Sequence, residues 1–246
     1  MSFDKVRFEG SLGNSDTYVT GRYFFTNIGK IFARLLLPTP ITPNQLTWFW
    51  GGLMVVSALL YATGDYILGI IGGAVWIVAY GLDYSDGIIA RYKDLKSARG
   101  KFLDMVIHRL TYPLLMFCIG YGVYRSPDLF SSYFDCIPAT LYIILGVAAG
   151  ISMNLFMDAA PLYEKYKVGD KTFEDNRGSS GVEGKVFKNQ KIFEFLMNFN
   201  PLVFTNMMLM LLVFAIFDAM SLFIVIYGLG YSLATSARIL LLYRDL

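Results

Sequence analysis

Apolar residues run along this chain in blocks close to twenty long, separated by short polar breaks. Six blocks predict spanning helices at roughly 46 to 63, 66 to 84, 101 to 124, 136 to 158, 200 to 217 and 219 to 242, because about 20 apolar residues rising ~1.5 Å each cross the hydrocarbon core of a bilayer. The breaks at Gly64 and Asp65 and around Asp218 are so short that the blocks flanking them form antiparallel hairpins. Ahead of the first block, Arg22, Thr26, Lys30 and Arg34 recur every four residues, while Tyr23, Phe24, Ile28, Ile31, Phe32 and Leu35 fall largely on other sides. That pattern predicts a basic amphipathic helix, lying on an anionic membrane surface or packed against the bundle. Pro38, Pro40 and Pro43 end it. The one long polar stretch, 163 to 200, reads as a loop through VGDKTFEDNRGSSGVEG followed by a short surface helix over 185 to 199.

The expected fold class is therefore all-α: an integral membrane protein with six transmembrane helices preceded by a cytoplasmic juxtamembrane amphipathic helix. Residues 1–40 form the N-terminal segment and 41–246 the six-helix domain. Composition agrees, since 55% of the 246 residues are hydrophobic and 16% aromatic, well above a soluble domain. A net charge of +2 gives no reason to expect a nucleic-acid partner. Its distribution says more. Lys and Arg gather in the N-terminal segment, in 91 to 101 and in 161 to 200, and Arg125 stands alone in the opposite loops. The excess of positive charge in cytoplasmic loops puts both termini, the end of the second span and the start of the third on the cytoplasmic side. The N-terminus, MSFDKVRFEGSLGNSD, lacks the basic start and apolar core of a cleaved signal peptide. Cys118 and Cys136 have no CxxC spacing and are expected to be unpaired.

The chemistry lies in LDYSDGIIARYKDLKSARGKFLDMVIHRL, where Asp83 and Asp86 close one apolar block and Asp104 and His108 open the next. A carboxylate at membrane depth costs about 3 kcal/mol, so acids in spans face a polar cavity, a partner or an ion. Here the spacing gathers them: Asp83, Asp86, Gly87, Ala90 and Arg91 form one helical stripe, and Gly100, Asp104 and His108 a second. Facing one another, the stripes would make an acidic pocket open to the cytoplasm. Three converging carboxylates repel unless protonated or bridged by a cation, and hard oxygen ligands suit Mg²⁺, Mn²⁺ or Ca²⁺ rather than zinc. Gly87, Ala90 and Gly100 leave room for a flat ligand, although small residues also serve plain helix packing. A metal-lined pocket beside Arg91 suits phosphate or diphosphate chemistry, though a basic residue just past a span is also an ordinary topology signal.

These residues resemble the signature of the CDP-alcohol phosphotransferases, D-x2-D-G-x2-A-R-x8-G-x3-D-x3-D. Asp83, Asp86, Gly87, Ala90, Arg91, Gly100 and Asp104 match seven of its eight fixed positions. PITPNQLT, from Pro40 to Thr47, is similar to the lead-in to that family's first span. The resemblance implies attack of an acceptor hydroxyl on the β-phosphorus of a CDP-linked donor, with release of CMP, in phospholipid or related lipid biosynthesis. It implies Asp83, Asp86 and Asp104 as ligands of Mg²⁺ (or Mn²⁺), and Asn44, Thr47, Gly87, Ala90, Arg91, Ser97 and Gly100 as the nucleotide and donor site. It further implies a homodimer in the cell (cytoplasmic) membrane. The donor would be CDP-diacylglycerol or another CDP-alcohol. The lead-in is closer to members acting on polyol or inositol phosphates than to choline enzymes.

The departure is at the last position, where the family's fourth aspartate is His108. The imidazole can be the catalytic base, since neutral His accepts a proton near neutral pH. It can instead be a metal ligand or acceptor contact, or mark loss of the base and an inactive, donor-binding protein. Arg109 beside it can reach an acceptor phosphate or snorkel to the interface. A transporter is a third class of reading, because charged membrane residues also mark ion paths; here the acids cluster at one face rather than through the bilayer.

Overall fold

The computed structural model describes residues 4–12, 18, 20–131, 138–168, 200 and 202–245. All regular structure among them is helical. In chain order the helices are α1 (Lys5–Gly10), α2 (Thr26–Leu36), α3 (Pro43–Ala62), α4 (Tyr66–Tyr92), α5 (Ala98–Arg125), α6 (Ala139–Val168), α7 (Phe204–Ile216) and α8 (Met220–Asp245), and a π-helical turn, Thr20–Phe25, runs into α2. Cys136 and the expected surface helix over 185 to 199 lie outside the described residues, as does most of the polar stretch before it. Cys118 is free and buried.

Among the described residues five helices, α3, α4, α5, α6 and α8, are long and apolar enough to cross a membrane. Expected spans and helices differ most at α6, which runs on to Val168, and next at α4, which continues to Tyr92 and so carries Asp86 to Arg91 on regular helix. The block at 200 to 217 is represented by α7, which has 13 residues. At ~1.5 Å per residue it is roughly 20 Å long, short of the ~30 Å hydrocarbon core.

Antiparallel α3 and α4 pack along their length, α5 lies against α3 and α6, and α8 covers α6. The α3–α4 turn needs Gly64, whose φ is +70° and which sits against α5. A Cβ there would lie 2.6 Å from the Gly122 carbonyl oxygen. Asp65 then starts α4 by accepting a hydrogen bond from Leu68 N at 2.9 Å. Trp50, Met54, Trp76, Met116, Phe223 and Tyr227 fill the interior, while Phe49, Leu59, Ile67, Ile71, Ile144 and Leu233 point outward, as in a bundle surrounded by lipid chains.

α2 packs on α4 through Phe25, Gly29 and Ala33, four residues apart and fully or nearly fully buried. Arg22 and Arg34 stay exposed, together with Ile31 and Leu35. The helix therefore packs on the bundle and still presents a face both apolar and basic.

Candidate functional site

Three helix ends meet around the motif. α3 begins with a capping box, Thr42 Oγ1 accepting from Gln45 N and Gln45 Oε1 from Thr42 N. The connector before it is tied to the end of α4 by Lys93, whose Nζ donates to the carbonyls of Thr39 (2.8 Å) and Ile41 (3.0 Å). α5 starts at Ser97, whose Oγ accepts from Gly100 N at 3.0 Å. A Cβ on Gly100 would sit 2.8 Å from Asn44 Oδ1 and 3.2 Å from Ser97 Oγ. The absence of a side chain at 100 thus lets Asn44 and Ser97 converge on the first turn of α5.

One and two turns further in, α5 turns Asp104 and His108 toward α4. His108 Nε2 is 3.1 Å from Asp104 Oδ1 and 3.4 Å from Asp83 Oδ2. One ligating atom from each of Asp83, Asp104 and His108 falls within 4.8 Å of the others. The imidazole is held between two rings, with Trp50 at 4.9 Å and Tyr112 at 5.0 Å between centroids, tilted 30° and 34°. His108 Nδ1 is buried without a hydrogen-bond partner, and buried Asp104 Oδ1 has the His108 Nε2 contact but no well-aligned hydrogen bond. Buried polar atoms left this way are costly. A divalent cation shared by the two carboxylates and the imidazole would satisfy Asp104 Oδ1 and offset the repulsion, so the residues present fit one.

Asp86 points elsewhere. Its Oδ2 lies 2.8 Å from Thr47 Oγ1 and 2.9 Å from Trp50 Nε1, both donors on α3. Trp50 was not singled out by sequence, where it reads as one more apolar residue of a span. It is fully buried and touches both halves of the site, donating to Asp86 and stacking on His108. The available signal was that a buried indole N–H needs an acceptor, and Asp86 is the acid one helix away.

Arg91 is half-buried at the end of the same stripe, its Nε donating to the Ser11 carbonyl at 2.5 Å. Gly87 lies beneath it: a Cβ there would be 3.3 Å from Arg91 Nη1. Ala90 is also half-buried on this stripe. Arg109 turns toward α6, where it pairs with Asp158, and its carbonyl accepts from Asn154 Nδ2 at 3.0 Å. The structure therefore brings Asp83, Asp104 and His108 into one group, Asp86 with Thr47 into a second, and Asn44 with Ser97 and Gly100 into a third.

A family model described as CDP-alcohol phosphatidyltransferase matches residues 40–173, from the lead-in to α3 past the end of α6. This chain belongs to that family. No curated protein matches it. The matched segment spans every motif residue from Asn44 to Arg109 and so contains all three groups of side chains. Membership of the family and, among the described residues, five helices long and apolar enough to cross a membrane make the chain a multi-pass membrane protein of a transferase family that uses a CDP-linked donor and an alcohol acceptor.

Proposed function

We propose that this protein transfers a substituted phosphate from CDP-diacylglycerol or another CDP-alcohol to an alcohol acceptor and releases CMP. The observation that carries the reading is the approach of Asp83, Asp104 and His108 within 4.8 Å at the facing ends of α4 and α5, in a segment matched by the family model. In the reaction the acceptor oxygen bonds to the β-phosphorus, the bond from that phosphorus to the CMP oxygen breaks so that CMP leaves with the electron pair, and the acceptor's proton passes to water. Asp83 and Asp104 hold Mg²⁺ or Mn²⁺, and Asp86, restrained by Thr47 and Trp50, completes the acidic wall. The cation, when bound, neutralises charge on the diphosphate oxygens. Asn44, Thr47, Ser97 and Gly100 border the nucleotide, Gly87 and Ala90 leave it room, and Arg91 faces the diphosphate.

Of the roles open to His108, its geometry favours metal ligand over base. Nε2 is directed at the two carboxylates that would share the cation, while Nδ1 is buried. Arg109 is proposed as an acceptor contact, the acceptor being a polyol or inositol phosphate. α7 belongs to the sixth crossing, α2 lies at the cytoplasmic surface through its basic face, and both termini and the site face the cytoplasm of the cell membrane. The active unit is a homodimer.

The test is CMP release by purified protein given CDP-diacylglycerol, a panel of alcohols and sugar phosphates, and Mg²⁺ or Mn²⁺. Metal-dependent CMP formation with one acceptor is expected. Donor binding without turnover would favour an inactive family member instead, and substrate movement across vesicles without CMP would favour a transporter.

A further inference from the structure

Residues 4–12, in the polar N-terminus, are folded onto the motif end of α4. α1 has six residues, too few to persist alone in water, where isolated helices need about 12–15. Tertiary contacts hold it. Phe8 is 1% exposed, with the Arg34 guanidinium 5.1 Å above its ring and Tyr92 6.5 Å away. Asp4 N donates to the Tyr92 hydroxyl at 2.9 Å, and Arg7 lies 5.3 Å over the Tyr92 ring. Buried Ser11 closes the turn, its Oγ donating to the Phe8 carbonyl at 2.7 Å.

That turn aims two main-chain carbonyls at the motif arginine. Arg91 Nε donates to Ser11 O at 2.5 Å and Nη2 reaches Leu12 O at 3.5 Å. The opposite corner, Nη1, lies over Gly87 on the stripe that carries Asp83 and Asp86. Among the described residues no carboxylate forms an ion pair with Arg91. Its partners here are neutral, so they fix the plane of the guanidinium without cancelling its charge, and Nη1 keeps its donors for an anion. A segment that competed with a phosphate would be expected to offer an acid instead.

We propose that residues 4–12 are a positioning element for donor binding: Phe8 anchors the segment, and the Ser11 and Leu12 carbonyls hold Arg91 with Nη1 turned to the donor diphosphate. This rests on the transferase reading above. The experiment is calorimetric binding of CDP, with Mg²⁺, to the purified full chain and its Phe8→Ala, Phe8→Leu, Tyr92→Phe, Arg91→Lys and Phe8→Ala/Arg91→Lys variants. Phe8→Ala should weaken CDP about tenfold, the scale of one charge-assisted hydrogen bond, Tyr92→Phe by a smaller factor, and Phe8→Leu should restore most of the affinity. Lysine lacks the Nε–Nη2 edge, so in the Arg91→Lys background Phe8→Ala should add nothing further. Unchanged affinity in both Phe8→Ala and Tyr92→Phe, or equal losses with and without Arg91, would overturn the proposal. Tighter CDP binding in Phe8→Ala would overturn it too, marking the segment as a competitor. Wild type that binds no CDP would defeat the transferase reading and this inference with it.

Discussion

Acidic side chains gather at both ends of this bundle, and they are used in opposite ways. At the end holding the α3–α4 turn, carboxylates accept from the main chain: Asp65 from Leu68 N, Asp128 from Ser131 N (2.9 Å) and Ser221 N (2.6 Å), and Asp218 from Leu129 N (3.2 Å). These bonds satisfy helix-start and turn donors that would otherwise be orphaned. At the motif end, the bonds described for Asp83, Asp86 and Asp104 go only to side chains, Asp83 and Asp104 facing His108 and Asp86 accepting from Thr47 and Trp50. An aspartate that stitches backbone is accounted for by folding. Aspartates held inside a helix pair with no main-chain partner are arranged for something that the chain itself does not supply.

The largest separation between the two ends should appear on removing a carboxylate. Asp104→Asn is expected to reduce CMP release on the order of a thousandfold, since it removes a proposed metal ligand while leaving volume unchanged. Its thermal midpoint in detergent should be at least that of the parent, because the variant relieves repulsion between half-buried carboxylates. Asp128→Ala should do the reverse, costing about 1 kcal/mol of stability for a lost cap and leaving turnover per folded molecule intact. Equal activity losses in the two would erase the comparison.

Trp50→Phe comes next. It keeps the aromatic wall of His108 but deletes the donor to Asp86, a bond to a charged group worth about 1.5–3 kcal/mol. Activity should fall by roughly ten- to a hundredfold, and a Trp50→Phe/Asp86→Asn pair should show strong non-additivity. The smallest effect is expected from Gly100→Ala. The new Cβ meets Asn44 Oδ1, the far end of a side chain that can move, so CDP binding should weaken only a few-fold. Unaltered binding would remove Asn44 and Gly100 from the nucleotide site.

How much of this was legible in the sequence follows from the kind of signal each part leaves. Helical spacing groups Asp83 with Asp86 and Asp104 with His108, and expensive charges in apolar blocks direct attention to them. Spacing along one helix says nothing about χ angles, so it did not reveal that Asp86 turns to α3 while Asp83 turns to α5. Trp50 was hidden because an indole among Trp48 and Phe49 looks like lipid-facing filler; only the fold distinguishes buried Trp50 from its exposed neighbours. The N-terminal segment was hidden for a different reason: six helical residues have no periodicity to detect, and Phe8 acquires meaning only from Arg34 and Tyr92, distant in sequence. Hydropathy located the block of α7 but overstated its length, because the apolar residues before Phe204 and after Ile216 lie outside the helix.

On the transferase reading proposed above, the acids of the motif end hold a divalent cation and those of the other end do not. Titration of the purified protein with Mn²⁺, followed by electron paramagnetic resonance, tests it without relying on turnover. Saturable Mn²⁺ binding is predicted, with a nitrogen coupling from His108 that is lost in His108→Asp, abolished binding in Asp104→Asn, and unchanged binding in Asp128→Asn. Binding that survives Asp104→Asn, or that disappears with Asp128→Asn, would contradict the account.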